Sequence, residues 1–254
     1  MFRYLTFVLV LLGACSGQPP PPQGEVSFPA ADGVTVFADI HAAADAGAPV
    51  LLLMHQGGGD ARSEYAPLLE HLTFRPMTIV MLDLRRGGDR FGGVNRTAAQ
   101  AAAEGRGEFT YCDAYADLEA AVDYLRRNGY AGPLILWGSS YTGALAAKFA
   151  QDRGGDIAGI LAFSPASRLP ECELGLDIAA IAAPGAVFRP SGEMELESVV
   201  AQLEAFRAAG FETHIIENGA HGSSMLVAAR SPEADTEAAL EIVRAFIDRV
   251  LEAG

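Results

Sequence analysis

Residues 134–143, Leu-Ile-Leu-Trp-Gly-Ser-Ser-Tyr-Thr-Gly, decide the fold, and an alanine-rich segment follows them. The apolar start predicts a buried strand, the glycine and serines a tight turn, and the alanines a helix. So sharp a turn needs small residues near its apex, and Gly138 lies two positions before Ser140. Relative to Ser139 the same position is occupied by Trp137, which is too large. The pattern therefore predicts Ser140 at the apex, although a serine that caps a helix after a buried strand would also explain the motif.

The rest of the chain alternates between short apolar runs and longer segments with apolar residues three and four positions apart. The runs predicted as strands are 34–40, 50–54, 78–82, 134–137, 157–163, 186–188 and 211–216. The segments predicted as helices are 63–72, 98–103, 113–127, 143–151, 195–208 and 232–251, the last of them capped by Ser231. This alternation predicts one α/β domain over residues 25–254, with a mostly parallel sheet of about eight strands flanked by helices and no large lid domain.

The strand, turn and helix around residues 134–143 resemble the nucleophile elbow, G-x-S-x-G, of the α/β-hydrolases, in particular of small esterases like the dienelactone hydrolases. The resemblance extends from about Val26 to the C-terminus. It departs from the family at the fifth position of the motif, where Thr142 stands in place of glycine and Gly143 follows. The resemblance implies an α/β-hydrolase fold and a serine hydrolase whose nucleophile is Ser140.

The glycine run His55-Gln-Gly-Gly-Gly59 follows the predicted strand 50–54 and resembles the H-G-G-type segment after the third strand of these enzymes. The resemblance implies that the backbone N–H groups of Gln56 and Tyr141 bind the oxyanion formed during acyl transfer. The other interpretation of the run is a flexible turn. It matches no nucleotide-binding motif, and no residues occur at metal-ligand spacing, so neither a cofactor nor a metal is predicted.

The catalytic base and acid have candidates in the last third of the chain. His221 lies in a loop directly after the last predicted strand, which is where the family has its catalytic histidine. After the strand at 186–188, Gly192-Glu-Met-Glu195 resembles the family's G-x-x-D turn and implies Glu195 as the acid that orients this histidine, with Glu193 as the alternative. Either glutamate is also explained as a first-turn carboxylate that stabilises the following helix.

The stretch Asp83-Leu-Arg-Arg-Gly-Gly-Asp89 resembles the D-x-R-G-x-G segment that follows the fourth strand in many members of the family, where its role is mainly structural. Its two arginines are expected to pair with its own aspartates, and contact with a substrate carboxylate is the alternative. The connection from Arg85 to Thr110 is the longest in the chain. Because long loops on a rigid scaffold often shape a binding site, this connection is expected to influence the choice of substrate.

The N-terminus has the pattern of an exported lipoprotein. A cation at Arg3 precedes an apolar run that is too short to span a bilayer, so residues 1–14 are predicted to be a signal peptide. Its end, Leu12-Gly-Ala-Cys15, resembles the lipobox of bacterial lipoproteins and implies that Cys15 is lipidated. An ordinary cleaved signal followed by a loose tail is the alternative.

Residues 15–24 are predicted to be an extended tether, because they include a run of consecutive prolines. Ser16 after the lipidated cysteine favours, by resemblance to Gram-negative sorting rules, the periplasmic face of the outer membrane. The domain is then expected to contact the membrane only through its lipid anchor.

Two cysteines remain, Cys112 and Cys172. Disulfides persist in exported proteins, so these two are candidates for one bridge, and two buried thiols are the alternative.

The formal net charge of -14 bears on the partners of the protein. Binding of nucleic acid requires clustered lysine and arginine, which the chain lacks, and a neutral or cationic small molecule is favoured as substrate. The sequence thus predicts hydrolysis of an ester or related acyl bond through a Ser-His-Glu triad. The rival prediction is a catalytically silent α/β-hydrolase-fold module that binds a ligand in the cell envelope, in which Ser140 would lie beyond hydrogen-bond reach of His221.

Overall fold

A sheet of eight strands forms the centre of the computed structural model, which describes residues 21–253. The strands are β1 Gly24–Pro29, β2 Thr35–His41, β3 Val50–Met54, β4 Thr78–Asp83, β5 Leu134–Ser139, β6 Ile157–Phe163, β7 Gly185–Pro190 and β8 Glu212–Ile216. Their order across the sheet is β1-β2-β4-β3-β5-β6-β7-β8. Strand β2 is antiparallel to β1 and β4, and the pairs from β4 to β8 are parallel, which confirms the predicted fold class.

Seven helices cover the two faces of the sheet within the described residues. They are α1 Ala61–Tyr65, α2 Leu69–Leu72, α3 Arg96–Ala103, α4 Tyr115–Arg127, α5 Tyr141–Arg153, α6 Glu197–Ala208 and α7 Thr236–Glu252. The central strands are apolar at nearly every position because both of their faces are buried. Leu52 of β3 packs in one core cluster with residues of α4, α5 and α6, whereas its neighbour Leu53 packs in the other with residues of α1, α2 and α7.

Two predicted helices differ from those in the structure. The segment 63–72 is divided into α1, a 3-10 turn at Ala66–Leu68 and α2. The break occurs at Pro67, which has no N–H to donate to the preceding turn. The last helix begins at Thr236 and is capped by Asp235, whose carboxylate accepts the N–H of Ala238 at 3.0 Å.

Strand β1 was not predicted from the sequence. It lies at the edge of the sheet, where only Phe28 of its residues is buried, so its sequence has no run of apolar residues. Between β6 and β7 the chain forms only loops and one short 3-10 turn, Ile178–Ala180, so no large lid domain is inserted there, as predicted.

The carboxyl ends of the parallel strands meet at one edge of the sheet, which is where ligand sites of such folds form. This edge carries the segments that follow β3, β5, β6, β7 and β8. All candidate catalytic residues named from the sequence lie in these segments.

The predicted signal peptide 1–14, the predicted lipidation site Cys15 and residues 16–20 of the predicted tether lie outside the described residues. Within residues 21–253 no helix combines the length and the apolar character that crossing a membrane requires.

A disulfide joins Cys112 and Cys172, the pairing that the sequence left open. The bridge connects the end of the long connection after β4 with the loop between β6 and β7, and both segments border the carboxyl edge of the sheet. Closing a loop over a sequence separation of 60 residues restricts the unfolded chain and stabilises the folded state.

Replacing both cysteines, in C112S/C172S, is expected to lower the free energy of unfolding by up to about 4 kcal/mol. Urea unfolding under oxidising conditions measures the difference, and a reducing agent should abolish it by destabilising the wild type alone. Equal stabilities of the two proteins under oxidising conditions would contradict the expectation.

Candidate active site

Ser140 occupies the apex of the turn between β5 and α5, where the sequence predicts it. Its backbone has φ 62° and ψ -119°, a conformation that residues with a β-carbon rarely adopt. Three hydrogen bonds hold it there: its N–H donates to the carbonyl of Phe163 at 2.8 Å, and its carbonyl accepts the N–H groups of Ala166 at 3.1 Å and Gly143 at 3.0 Å. The side chain of Ser140 is thereby placed at the surface of the carboxyl edge, partly exposed to solvent.

Close packing explains the glycine before this turn. A β-carbon on Gly138 would lie 2.3 Å from the carbonyl oxygen of Thr142, which no real contact tolerates. The hydroxyl of Thr142 accepts the N–H of Ser139 at 2.7 Å and lies 2.9 Å from the carbonyl oxygen of Met54. The threonine that departs from the family motif therefore ties the turn to the end of β3.

Ser139, the competing serine, has a structural role. Its side chain is fully buried, and its hydroxyl accepts the backbone N–H of Ser223 at 3.0 Å. Of the two adjacent serines, only Ser140 is accessible to a substrate.

His221 pairs with Glu193. The imidazole Nδ1 lies 2.5 Å from Oε1 of Glu193, and the other oxygen of this carboxylate accepts a hydrogen bond from Arg189 at 2.7 Å. Burial raises the pKa of Glu193, but the hydrogen bonds from His221 and Arg189 outweigh it, so its pKa is lower than that of an ordinary glutamate. Glu193 is therefore ionised at neutral pH and able to orient the imidazole.

The prediction of Glu195 as the partner of His221 is corrected by this contact. Both glutamates lie in the 3-10 turn Ser191–Glu195 that follows β7. A 3-10 turn has about three residues per turn, so side chains two positions apart cannot both face the same histidine. Glu195 is the exposed one, and Glu193, the alternative left open from the sequence, faces His221.

Buried hydroxyls that the sequence did not reveal hold the loop of His221. The N–H groups of the next two residues, Gly222 and Ser223, donate to the side chains of Ser164 and Ser139 at the ends of β6 and β5. Gly222 has φ 67°, and a β-carbon there would lie 2.4 Å from the Ser139 hydroxyl oxygen. The histidine loop is thus fastened to the strand that carries the nucleophile turn.

Ser140 and His221 are brought to neighbouring loops, but no hydrogen bond joins them within the described residues. Such bonds are often long in an enzyme without substrate and tighten when substrate binds.

The glycine segment after β3 differs from the prediction at one atom. The N–H of Gln56, predicted to bind an oxyanion, instead donates to the carboxylate of Glu64 at 2.8 Å. Glu64 is fully buried, and burial raises its pKa. The next N–H along the chain, that of Gly57, has no hydrogen-bond partner within residues 21–253, and neither has that of Tyr141 at the start of α5.

The two arginines after β4 also differ from the expectation. Arg85 is buried and pairs with Asp117 at 2.7 Å and with Asp32, rather than with the aspartates of its own stretch. Arg86 is partly exposed and contacts Glu171 at 3.3 Å. Arg85 is therefore structural, and Arg86 belongs to the border of the site.

The mostly parallel sheet, with a serine at a strained strand–helix turn and a histidine loop beside it, defines an α/β-hydrolase. The chain belongs to the Hydrolase_4 family, described as serine aminopeptidase, S33, whose model matches residues 47–191, more than half of the sequence. By fold and family the protein is a serine hydrolase of the α/β type.

Solved structures with the same fold include Est1E from Butyrivibrio proteoclasticus, with a TM-score of 0.67 and 14% identity over 91% of this chain and 100% of that chain. The esterase PF2001 from Pyrococcus furiosus has a TM-score of 0.63 and 16% identity, with 91% of each chain covered. A dienelactone hydrolase from Anabaena variabilis has a TM-score of 0.58 and 17% identity, over 87% of this chain and 96% of that chain. At these identities the similarity shows the fold alone. Comparison with curated protein sequences finds no match.

Replacing Gly138 by alanine is expected to destabilise the protein by about 1 to 3 kcal/mol, because the new methyl group would displace backbone at the turn. Gly154, at the end of α5, has open space around its α-carbon, so Gly154→Ala is the matched control and should leave stability nearly unchanged. Urea unfolding of the two variants measures the difference. A G138A variant as stable as G154A would show that the turn is not as tightly packed as described.

Proposed function

We propose that the protein hydrolyses an ester or related acyl bond of a small substrate, with Ser140 as nucleophile, His221 as base and Glu193 as the acid that orients it. One observation carries the proposal: the accessible serine at a strained turn lies on the strand end to which the loop of the His221–Glu193 pair is fastened. The acid is Glu193 and not the expected Glu195, so the proposed triad is still of the Ser-His-Glu type.

Each group has a chemical step. The Ser140 hydroxyl oxygen bonds to the acyl carbon while Nε2 of His221 takes its proton, and the carbonyl electrons move to the oxygen. Glu193 accepts the Nδ1–H and stabilises the imidazolium. The oxyanion re-forms the carbonyl as the alcohol leaves with the proton from His221. Water then repeats the sequence on the acyl-enzyme and releases the acid.

The backbone N–H groups of Gly57 and Tyr141 are the proposed donors to the oxyanion. Both lack partners within the described residues, and they belong to the two segments, after β3 and β5, that meet at the nucleophile. Donors that are already fixed in place stabilise the charge of the transition state without reorganisation. Gln56 has no part in this scheme, since its N–H is bound by Glu64.

We also propose that the domain works outside the cytoplasm, lipidated at Cys15 and attached to the cell envelope by the tether 15–24. The lipobox-like sequence supports the anchor, and the Cys112–Cys172 disulfide is consistent with an oxidising compartment. The net charge of -14 favours neutral or cationic small substrates over anionic ones.

A fluorophosphonate probe tests the nucleophile. The wild-type protein is expected to be labelled and S140A is expected to remain unlabelled, while S139A, which retains the nucleophile, should still react. Fragmentation of the labelled peptide by mass spectrometry locates the adduct on one of the two adjacent serines. A panel of p-nitrophenyl esters then measures turnover.

The absence of a hydrogen bond between Ser140 and His221 is the observation that favours the second candidate, a silent module that binds a ligand. If a protein with the native circular-dichroism spectrum neither reacts with the probe nor hydrolyses any ester, that second candidate replaces the first.

The choice of acid is tested by E193Q and E195Q. E193Q should lower kcat by about two orders of magnitude or more, because an amide holds the imidazole in the wrong tautomer. E195Q changes the same charge at an exposed position two residues away and should retain wild-type kcat. Equal effects of the two changes, or a larger one for E195Q, would contradict the assignment.

A further inference from the structure

Tyr111 lies at the end of the long connection after β4, directly before the bridged Cys112. Its hydroxyl reaches the glycine segment after β3: a methyl group on the α-carbon of Gly57 would lie 3.0 Å from this oxygen and 3.2 Å from the ring. A side chain at position 57 would therefore crowd the phenol, which would have to move by a few tenths of an ångström. The hydroxyl thus lies beside the residue whose N–H is one proposed oxyanion donor.

The ring of Tyr111 also contacts the residue of the other proposed donor. Its centroid lies 4.8 Å from the ring centroid of Tyr141, the residue directly after the nucleophile. The ring has a second contact: the guanidinium of Arg86 lies over it, 4.4 Å from the centroid. Together these contacts bring the phenol against both segments that form the oxyanion site.

The disulfide fixes the backbone next to this ring. Cys112 is covalently joined to Cys172, and the N–H of Cys112 lies 3.2 Å from the sulfur of Cys172. The bridge thereby restrains the backbone directly beside Tyr111. Within residues 21–253 the Tyr111 hydroxyl has no hydrogen-bond partner, and neither has the buried hydroxyl of Tyr141, whereas Tyr65, Tyr115 and Tyr130 use theirs.

We propose that Tyr111 is a further catalytic residue, whose hydroxyl donates a hydrogen bond to the substrate carbonyl oxygen as negative charge develops on it. The inference rests on the proposed function. Tyr111 keeps its proton throughout: it adds a side-chain donor to the backbone N–H groups of Gly57 and Tyr141 and takes no part in the proton transfer of His221. A donor of this kind is worth more in the transition state than in the ground state, so it acts on kcat.

The test compares Y111F with wild type in the purified full chain. Phenylalanine preserves the ring, its contact with Tyr141 and its contact with Arg86, and removes only the donor. With p-nitrophenyl acetate, kcat is expected to fall about 10- to 100-fold while KM changes less than about threefold. Inhibition by an aryl trifluoromethyl ketone, which forms a tetrahedral oxyanion on the serine, should weaken by a similar factor.

Y115F is the matched control. Tyr115 lies four residues after Tyr111, and its hydroxyl donates a hydrogen bond to Asp152 on α5. This variant loses an equivalent hydroxyl on the same segment and should retain wild-type kcat and inhibitor affinity.

The anchoring role of the disulfide gives a second measurement. C112S/C172S should lose part of the same activity at a temperature where it remains folded, because the phenol is no longer fixed. Adding Y111F to that background should then cost less than it does in the wild type, since the two changes remove one interaction. Fully additive losses would count against the inference.

S140A, assayed alongside, separates the two proposals. If wild type is active, S140A is inactive and Y111F matches wild type in kcat and in inhibitor affinity, the role of Tyr111 is overturned and the proposed function stands. A raised KM with unchanged kcat overturns it as well, because the hydroxyl then binds ground state and transition state equally. If wild type neither turns over the ester nor reacts with the fluorophosphonate, the proposed function falls and the inference falls with it.

Discussion

The positive φ of Ser140 is the constraint on which the rest of the site depends. A residue with a β-carbon pays about 1 to 3 kcal/mol for such a conformation, and it persists only where the surroundings leave no other choice. Here the surroundings are the ends of three strands. Main-chain bonds from Ser140 reach Phe163 and Ala166, and the Thr142 hydroxyl ties the turn to β3. The strain is therefore supported by the whole carboxyl edge of the sheet.

Buried hydroxyl groups connect that edge to the catalytic histidine loop. Ser139 and Ser164 accept the N–H groups that follow His221, and Ser223 accepts the indole N–H of Trp137 at 2.9 Å. A buried donor without a partner costs about 1 to 3 kcal/mol, so these bonds define one position for the loop. Hydrophobic packing alone would hold the loop with less directional precision.

The sequence predicted the elements that repeat a strong pattern. Strands β3 and β6 begin and end at the predicted residues, because runs that are buried on both faces are apolar throughout. Edge strand β1 was missed, since one buried residue makes no pattern. Ser231, predicted as a helix cap, instead bonds Ala220 and Ser224 in the histidine loop, and nothing local in the sequence distinguishes the two uses of a serine.

Within the site, the sequence predicted which segments meet but not which atoms face one another. The position within the G-x-x-D-like motif led to Glu195, whereas the geometry of the 3-10 turn directs Glu193 toward His221. Motif position led likewise to the N–H of Gln56, which a carboxylate eight residues later binds. Tyr111 carried no signal at all, because its place beside Gly57 results from tertiary packing and a disulfide.

The direction of the first strand determines where a tether would join the domain. Strand β1 begins at Gly24 and pairs antiparallel with β2, so it runs in the same direction as β4, with Gly24 level with Val80 in the first half of that strand. The chain thus enters the domain near the amino edge of the parallel strands, opposite the edge that carries Ser140 and His221. A tether attached at Gly24 would therefore join the domain on the side away from Ser140 and His221. The attachment point would then not cover the entrance to the candidate active site.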